Sequence, residues 1–289
     1  MVSLSIIIPA YNEEHSLRIF LPQVIDFCKQ RDYKLIVVND GSTDGTKKIL
    51  SEYLNDRSTL TVLHNKVNSG YGAAIKRGVR EATTDFIITI DADGQHSLDD
   101  VDRLFKTAID EDADMVVGNR GVSSTFYRNI GKWLIRTVTK ILMPLDIHDI
   151  NSGMKLYNTE LAKKYISICP ETMAYSDIIL LTFVYQKCRV IEIPITIKPR
   201  TQGVSTINTM TAINTLRELV NIVVLFNPIV VFFPLGMFCI VASVIWGIHI
   251  SIAGKGISTG TLLGVLTGIL ILFIGLLSHQ ISAFRKEKF

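Results

Sequence analysis

Short apolar runs punctuate the first 120 positions: Leu4–Ile8, Lys34–Val38, Leu60–Leu63, Phe86–Ile90 and Asp114–Val117. Their length and their content of Ile, Val and Leu predict β-strands. Between them apolar positions recur at helical spacing, over about Glu14–Arg31, Thr43–Asn55, Tyr71–Ala82 and Leu98–Asp112. These predict amphipathic helices with one face toward a core. Ser97, with Asp100 three positions on, predicts a capping box at the start of the last one. Alternating strands and helices make an α/β domain with a mostly parallel, Rossmann-like sheet covered on both faces. Ligands of such sheets sit beyond the carboxyl ends of the strands.

The pattern changes near the end of the chain. No Asp, Glu, Lys or Arg occurs between Glu218 and Lys255, nor between Lys255 and Arg285. Two stretches, about 229–252 and 262–281, are long and apolar enough to cross a bilayer, which takes about 20 residues. They predict a two-helix transmembrane hairpin. Asn208 to Phe226, with apolar residues at helical spacing, predicts an interfacial helix. The expected organisation is an α/β domain over 1–205, an interfacial amphipathic helix over 206–227, two membrane helices within 228–284 and a basic tail over 285–289. Gly264, Gly268 and Gly275 form a small-residue face that would allow packing against further copies as a homo-oligomer, though the sequence does not fix the oligomeric state.

Charge sharpens this picture. The net charge is +3, yet the first 227 residues carry 26 basic and 26 acidic groups. The excess belongs to Lys255, Arg285, Lys286 and Lys288, so it gives no reason to expect nucleic acid as a partner. The basic tail predicts that both chain ends lie on the cytoplasmic side of a multi-pass membrane protein. The N-terminus lacks a basic segment, and Leu4–Ile8 is too short for the core of a signal sequence, so the polar portion is expected to stay in the cytoplasm. Cys28, Cys169, Cys188 and Cys239 are widely spaced, which suits free thiols in a reducing compartment.

The strand ends carry the chemistry. Pro9-Ala-Tyr-Asn-Glu-Glu14 follows the first strand, Asn39-Asp-Gly-Ser-Thr-Asp-Gly45 the second and Asp91-Ala-Asp-Gly-Gln-His96 the fourth. Neither a G-x-G-x-x-G turn after the first strand nor a G-x-x-x-x-G-K-[ST] loop is present, which disfavours dinucleotide and P-loop binders. Asp91 and Asp93, two apart at a strand end, point the same way. Two such carboxylates repel each other unless a cation lies between them, and Mg²⁺ or Mn²⁺ suits oxygen ligands shared with substrate phosphates. Gln95 and His96 are near enough to join the shell.

In this order and spacing, P-A-Y-N-E, V-N-D-G-S-T-D-G-T, N-S-G-Y-G-A-A and D-A-D-G-Q-H resemble a family 2 glycosyltransferase of the GT-A fold, over roughly residues 3 to 205. Gly118-Asn-Arg120, Asp149-Ile-Asn-Ser-Gly153, Arg200-Thr-Gln-Gly-Val-Ser205 and the C-terminal hairpin are similar to its polyprenyl-phosphate sugar transferase branch, of the dolichyl-phosphate mannose synthase and undecaprenyl-phosphate glucosyltransferase type. The resemblance implies that Pro9, Tyr11, Glu13, Asp40, Ala92 and Arg200 bind the nucleotide-sugar. It implies that Asp91, Asp93 and Gln95 hold the metal, and that Arg120, Arg128 and Lys132 face a lipid phosphate. Asp177 matches the position of an acidic base in the wider family; here it is equally suited to orienting a basic residue or capping a helix. Three positions depart from the pattern: Asn39 before Asp40, Lys132 four after Arg128, and Thr206 after Ser205.

A separate observation favours a lipid acceptor. No acid lies between Asp114 and Asp146, while Arg128, Lys132, Arg136 and Lys140 recur every fourth residue among Ile130, Trp133, Leu134, Ile135 and Val138. A basic amphipathic helix of this kind seeks a membrane surface. The Q-x-x-R-W pattern of processive synthases is absent, so one sugar per reaction is expected. The implied reaction is inverting transfer of a single hexose from a UDP- or GDP-sugar to a dolichyl or undecaprenyl phosphate at the cytoplasmic face. The alternative is a membrane-anchored transferase acting on a hydroxyl acceptor in glycolipid or surface-glycan synthesis.

Overall fold

A computed structural model describes residues 2–53, 58–121, 147–198, 225–254, 256 and 258–287. Seven strands form one sheet: β1 (Leu4–Ala10), β2 (Lys34–Asn39), β3 (Leu60–His64), β4 (Phe86–Thr89), β5 (Met115–Asn119), β6 (Lys155–Asn158) and β7 (Val190–Pro194). Their order is β3-β2-β1-β4-β6-β5-β7. All pairings are parallel except those of β6, which runs antiparallel to β4 and β5. Every residue of β1 is buried, as a central parallel strand covered on both faces requires.

The helices of this unit are α1 (Glu14–Arg31), α2 (Thr46–Glu52), α3 (Tyr71–Glu81), α4 (Leu98–Asp110), α5 (Thr159–Tyr165) and α6 (Tyr175–Tyr185). Leu17, Leu21, Val24 and Cys28 of α1 and Val101, Leu104 and Ala108 of α4 recur at helical spacing and are buried in one core with Leu4, Ile6, Leu35 and Ile88. The first four strands and α1 to α4 lie where the apolar pattern placed them. The capping box does not form. Ser97 makes no side-chain cap bond, because Asp100 is turned inward, where it accepts from Thr196 N at 2.7 Å and Arg103 at 2.6 Å.

The strand order reverses between β1 and β4, since β1 has β2 on one side and β4 on the other. The carboxyl ends of β1, β2 and β4 therefore share one edge of the sheet, Ala10 opposite Asn39 and Ile7 opposite Thr89. This is the crevice in which an open α/β sheet takes its ligand.

A second compact unit contains α7 (Ile229–Ile252) and α8 (Thr259–Glu287). Both are long and apolar enough to cross a membrane. A Cβ on Gly268 would lie 2.8 Å from the Gly236 carbonyl, and one on Gly275 2.5 Å from the Phe232 side chain. Gly264 packs likewise on Ser243. The three glycines suited to meeting another copy are thus used within the hairpin, where small residues let two backbones approach. Ser282 Oγ donates to the carbonyl of Leu225 near the chain entry to α7.

Two core thiols give the fold a pH signature. Burial pushes Cys28 and Cys169 up from 9 to about 12. The unfolded thiols ionise first as pH climbs, so stability present below pH 9 is lost progressively between pH 9 and 12, by roughly 1 kcal/mol per thiol at pH 10. Unfolding midpoints at pH 8 and pH 10 should separate more for the wild type than for Cys28→Ala/Cys169→Ala. Equal separation in the two proteins would contradict this.

Candidate active site

The loops after β1 and β2 are stapled to each other. Asn12, held at φ 54°, accepts from Thr43 N at 2.8 Å and donates its own N–H to Ser42 Oγ at 3.0 Å. Glu13 N donates to Thr46 Oγ1, and Gly45 N to Glu14 Oε2, both at 2.9 Å. These bonds join residues 30 to 33 positions apart, with side-chain oxygens of one loop accepting from backbone N–H groups of the other. The staple leaves Tyr11 exposed at the rim, Glu13 half-buried and Pro9 buried within β1.

Asp40 is 3 % exposed. Its carboxylate accepts from Asn65 Nδ2 at 2.5 Å, from Ser69 N at 3.0 and 3.2 Å, and from Gly70 N at 2.8 Å. Gly70 has φ 102°, a conformation that glycine adopts without steric cost. Asp40 thereby fixes the turn that starts α3 and delivers the next side chain, Tyr71.

The Tyr71 hydroxyl donates to Asp91 Oδ1 at 3.1 Å. Burial, then the charge of Asp91, pushes the phenol well above 10, so it remains a donor. Gly94, at φ 71°, turns the chain after Asp93, and Asp93 Oδ1 accepts from Gln95 N at 3.1 Å. Ala92 is buried at the centre of this turn. Nδ1 of His96 faces the Asp91 N–H at 3.2 Å, which spends that nitrogen inside the turn rather than on a cation. Burial lowers the His96 pKa against the pull of Asp91 and Asp93, so the ring is neutral.

The segment from Asp149 to Gly153 closes one side of Asp91. A Cβ on Gly153 would fall 2.5 Å from Asp91 Oδ2, so any larger residue there must displace the Asp91 carboxylate. Thr89 Oγ1 donates to Gly153 O at 2.8 Å. Asp149 receives Arg120 in a two-point fork, Nε to Oδ2 at 2.7 Å and Nη2 to Oδ1 at 2.9 Å. The fork raises the Arg120 pKa. Glu192 of β7 anchors the segment from behind, accepting from His148 N at 2.9 Å and Asp149 N at 2.7 Å.

Beneath the segment lies Lys155, 0 % exposed. Its Nζ donates to Ile150 O at 2.8 Å and Ser152 O at 2.5 Å. Burial lowers its pKa to about 8, against the opposing charges of Asp177, Asp149 and Asp91. Asp177, in the first turn of α6 and 2 % exposed, accepts from Asn151 Nδ2 at 3.1 Å.

Asp40, Asp91, Asp93, Gln95, Ala92, Arg120 and Asp177 are therefore gathered around one strand-end crevice. Arg128, Lys132 and Arg200 lie outside the described residues. Sequence reasoning missed Tyr71 and Lys155 as parts of this site. Tyr71 stands inside a quoted motif, and Lys155 opens the short strand β6; the pairing of each with a distant carboxylate is tertiary.

Among the described residues no group of three His, Cys, Asp or Glu forms a metal cluster. The donor set is narrower and chemically apt. Arg120 balances Asp149, and Lys155 lies among buried carboxylates with Asp177 the strongest influence. Asp91 and Asp93 place two formal negative charges on one turn beside the Gln95 amide. Such a set fits a hard divalent cation that takes its other ligands from substrate phosphates and water.

Comparison with known proteins agrees with this geometry. Residues 5–166 match glycosyl transferase family 2, and residues 227–284 match the GtrB C-terminal hairpin. Polyprenol monophosphomannose synthase of Mycolicibacterium smegmatis is 32% identical over 216 residues, 70% of this chain and 80% of that protein. An undecaprenyl-phosphate 4-deoxy-4-formamido-L-arabinose transferase of Proteus mirabilis is 32% identical over 207 residues, 70% of this chain and 61% of that one. In fold, the chain is similar to glucosyl-3-phosphoglycerate synthase from Mycobacterium tuberculosis, solved in complex with Mn²⁺, UDP and phosphoglyceric acid, with a TM-score of 0.58, 17% identity and coverage of 77% and 78%. The GT-A architecture implied by the four motifs is thus present. With a strand-end Asp91/Asp93 turn, a matched catalytic region and a matched hairpin, the chain belongs to glycosyl transferase family 2.

Proposed function

We propose that the protein transfers one hexose from a UDP- or GDP-sugar to a polyprenyl phosphate, with inversion, at the cytoplasmic face of a membrane. Relatives whose names specify polyprenol, undecaprenyl phosphate or dolichyl phosphate support the acceptor class. The matched hairpin supports anchoring where such a lipid resides. The basic residues Arg285, Lys286 and Lys288 support an orientation with both ends cytoplasmic. In this reading residues 1–205 do the chemistry, 206–227 lie at the interface and 228–284 anchor the chain.

The observation that carries the acceptor is the burial of Asp177. A hydroxyl acceptor needs a base to take its proton. Asp177 is 2 % exposed, held by Asn151, and is the strongest opposing charge on Lys155. A phosphate monoester has a second pKa near ~6 and is mostly a dianion at neutral pH. It attacks the anomeric carbon with no base. The new C1–O bond to the lipid phosphate forms as the C1–O bond to the diphosphate breaks, and that electron pair leaves with the nucleoside diphosphate.

Asp91, Asp93 and Gln95 would hold Mg²⁺ or Mn²⁺, whose charge, when bound, offsets that gathering on the leaving diphosphate. Tyr71 keeps Asp91 oriented, and Asp40 keeps Tyr71 in place. Pro9, Tyr11, Glu13 and Ala92 are the candidate nucleoside contacts beside these loops, and Arg200 a contact closing on the nucleotide. Arg120 is committed to Asp149, which makes it a support for the lipid-phosphate side, with Arg128 and Lys132 as the direct contacts.

The test varies each substrate in turn. An Arg fork matches two phosphate oxygens at once, and hydrogen bonds to charged groups are worth about 1.5–3 kcal/mol. Arg128→Ala should therefore raise KM for polyprenyl phosphate by roughly ten- to a hundredfold and leave KM for the nucleotide-sugar nearly unchanged. Arg128→Lys should recover part of the loss. An equal loss on the donor side, or none on the acceptor side, would sink this assignment.

A further inference from the structure

We infer that Lys155 is a positioning residue, whose buried ammonium holds the Asp149–Gly153 segment as a rigid wall against the cation-holding carboxylate Asp91. The inference deepens the proposed function and rests on its reading of Asp91 and Asp93 as that pair. A fully buried ammonium is costly, and an apolar side chain of similar size would be the cheaper filling for a core strand. Lys155 instead turns its charge on two carbonyls of one short segment, Ile150 O and Ser152 O. Gathering those carbonyls inward curls the segment and sets the buried Gly153 against Asp91.

The consequence at Asp91 is steric. The Gly153 backbone lies so close to the Asp91 carboxylate that a methyl group there would sit 2.5 Å from Oδ2. The opposite oxygen, Oδ1, takes the Tyr71 hydroxyl. The carboxylate is thus clamped between a phenol and a backbone, with the clamp registered to β4 by the backbone pairing of Lys155 with Thr89 and by the bond from Thr89 Oγ1 to Gly153 O. The same segment aims Asp149 at Arg120 and Asn151 at Asp177. One ammonium therefore organises the wall from which both flanking polar contacts project.

Lys155 also faces Asp177, so a role as mere counter-ion must be separated from positioning. Lys155→Met strands a buried carboxylate, and its melting temperature should drop sharply. Lys155→Met/Asp177→Asn restores neutrality and keeps an acceptor for Asn151, so most of the melting temperature should return. Mn²⁺ binding to the full chain in detergent, followed by electron paramagnetic resonance with and without UDP or GDP, should nevertheless be at least tenfold weaker in the double variant. Its kcat should fall at least thirtyfold, in step with the loss of Mn²⁺ affinity. A stable double variant with wild-type Mn²⁺ affinity and kcat would overturn the inference. If the double variant stays unstable, Gly153→Ala decides, because it keeps the ammonium and pushes on Asp91 alone: tenfold weaker Mn²⁺ binding supports the wall, and unchanged binding overturns it. A wild-type chain that transfers sugar without binding Mn²⁺ or Mg²⁺ would instead refute the metal reading itself.

Discussion

Asp93→Asn should lower turnover at least ~10³-fold while the protein stays folded and membrane-bound. Asp91 and Asp93 place two carboxylates on one turn at the end of β4, beside Gln95, whose backbone N–H donates to Asp93. Removing one charge halves the anionic field that draws a divalent cation to the diphosphate. Stabilisation of charge on a leaving group by such a cation is worth several kcal/mol, and each 1.36 kcal/mol is tenfold in rate. The amide retains the shape of the side chain and its acceptor for Gln95 N, so the turn should survive. Steady-state rates at saturating Mg²⁺ and Mn²⁺, with circular dichroism as the folding control, make the check. Activity near wild type under those conditions would remove the metal assignment.

Asp40→Asn should strike both stability and nucleotide binding. Both oxygens of the buried carboxylate accept N–H groups, from Asn65, Ser69 and Gly70. An amide supplies one acceptor and one donor, so either orientation sets an NH₂ against a backbone N–H. Losing a bond to a charged group and leaving a buried donor unpaired should cost about 3–5 kcal/mol together. A domain of this size should then melt about 6–20 °C lower. The turn at Gly70 also carries Tyr71 to Asp91, so nucleotide affinity, measured by calorimetry below the melting transition, should fall at least tenfold. A wild-type melting temperature would mean that these bonds do not hold the loop.

Both variants hinge on residues that differ in how visible they are from the chain alone. Asp91 and Asp93 announce themselves because the apolar run Phe86–Ile90 stops and two carboxylates follow at strand spacing. The strand ends of β1 and β2 are legible for the same reason. Strands β6 and β7 are not. Lys155 and Asn158 bound only two apolar residues in β6, and Val-Ile-Glu-Ile-Pro of β7 places Glu192 where it serves a distant loop. A local pattern cannot reveal that Lys155 is neutralised from another element, since Asp177 stands 22 positions away on α6.

The supporting contacts follow the same rule. Arg120 with Asp149, Tyr71 with Asp91 and Asn151 with Asp177 join residues 20 to 29 positions apart. Each motif is readable by itself, while the way one motif clamps another depends on sheet order. The antiparallel insertion of β6 between β4 and β5 brings the Asp149–Gly153 segment to Asp91. Ser97 and Asp100 show the converse. Their spacing fits a capping box, but burial gives Asp100 the stronger partner in Thr196 N, and the local motif yields to the tertiary one.

The central claim is that the acceptor is a lipid phosphate and the product carries one sugar. The most direct measurement supplies the full-length protein, in lipid nanodiscs with Mg²⁺ or Mn²⁺, with a panel of radiolabelled UDP- and GDP-sugars, with undecaprenyl phosphate, with undecaprenol, or with neither. The account predicts that label from one donor moves to undecaprenyl phosphate alone, one sugar per lipid, and that a chelator stops the transfer. Label on undecaprenol, or donor turnover unchanged when the lipid phosphate is left out, would contradict it.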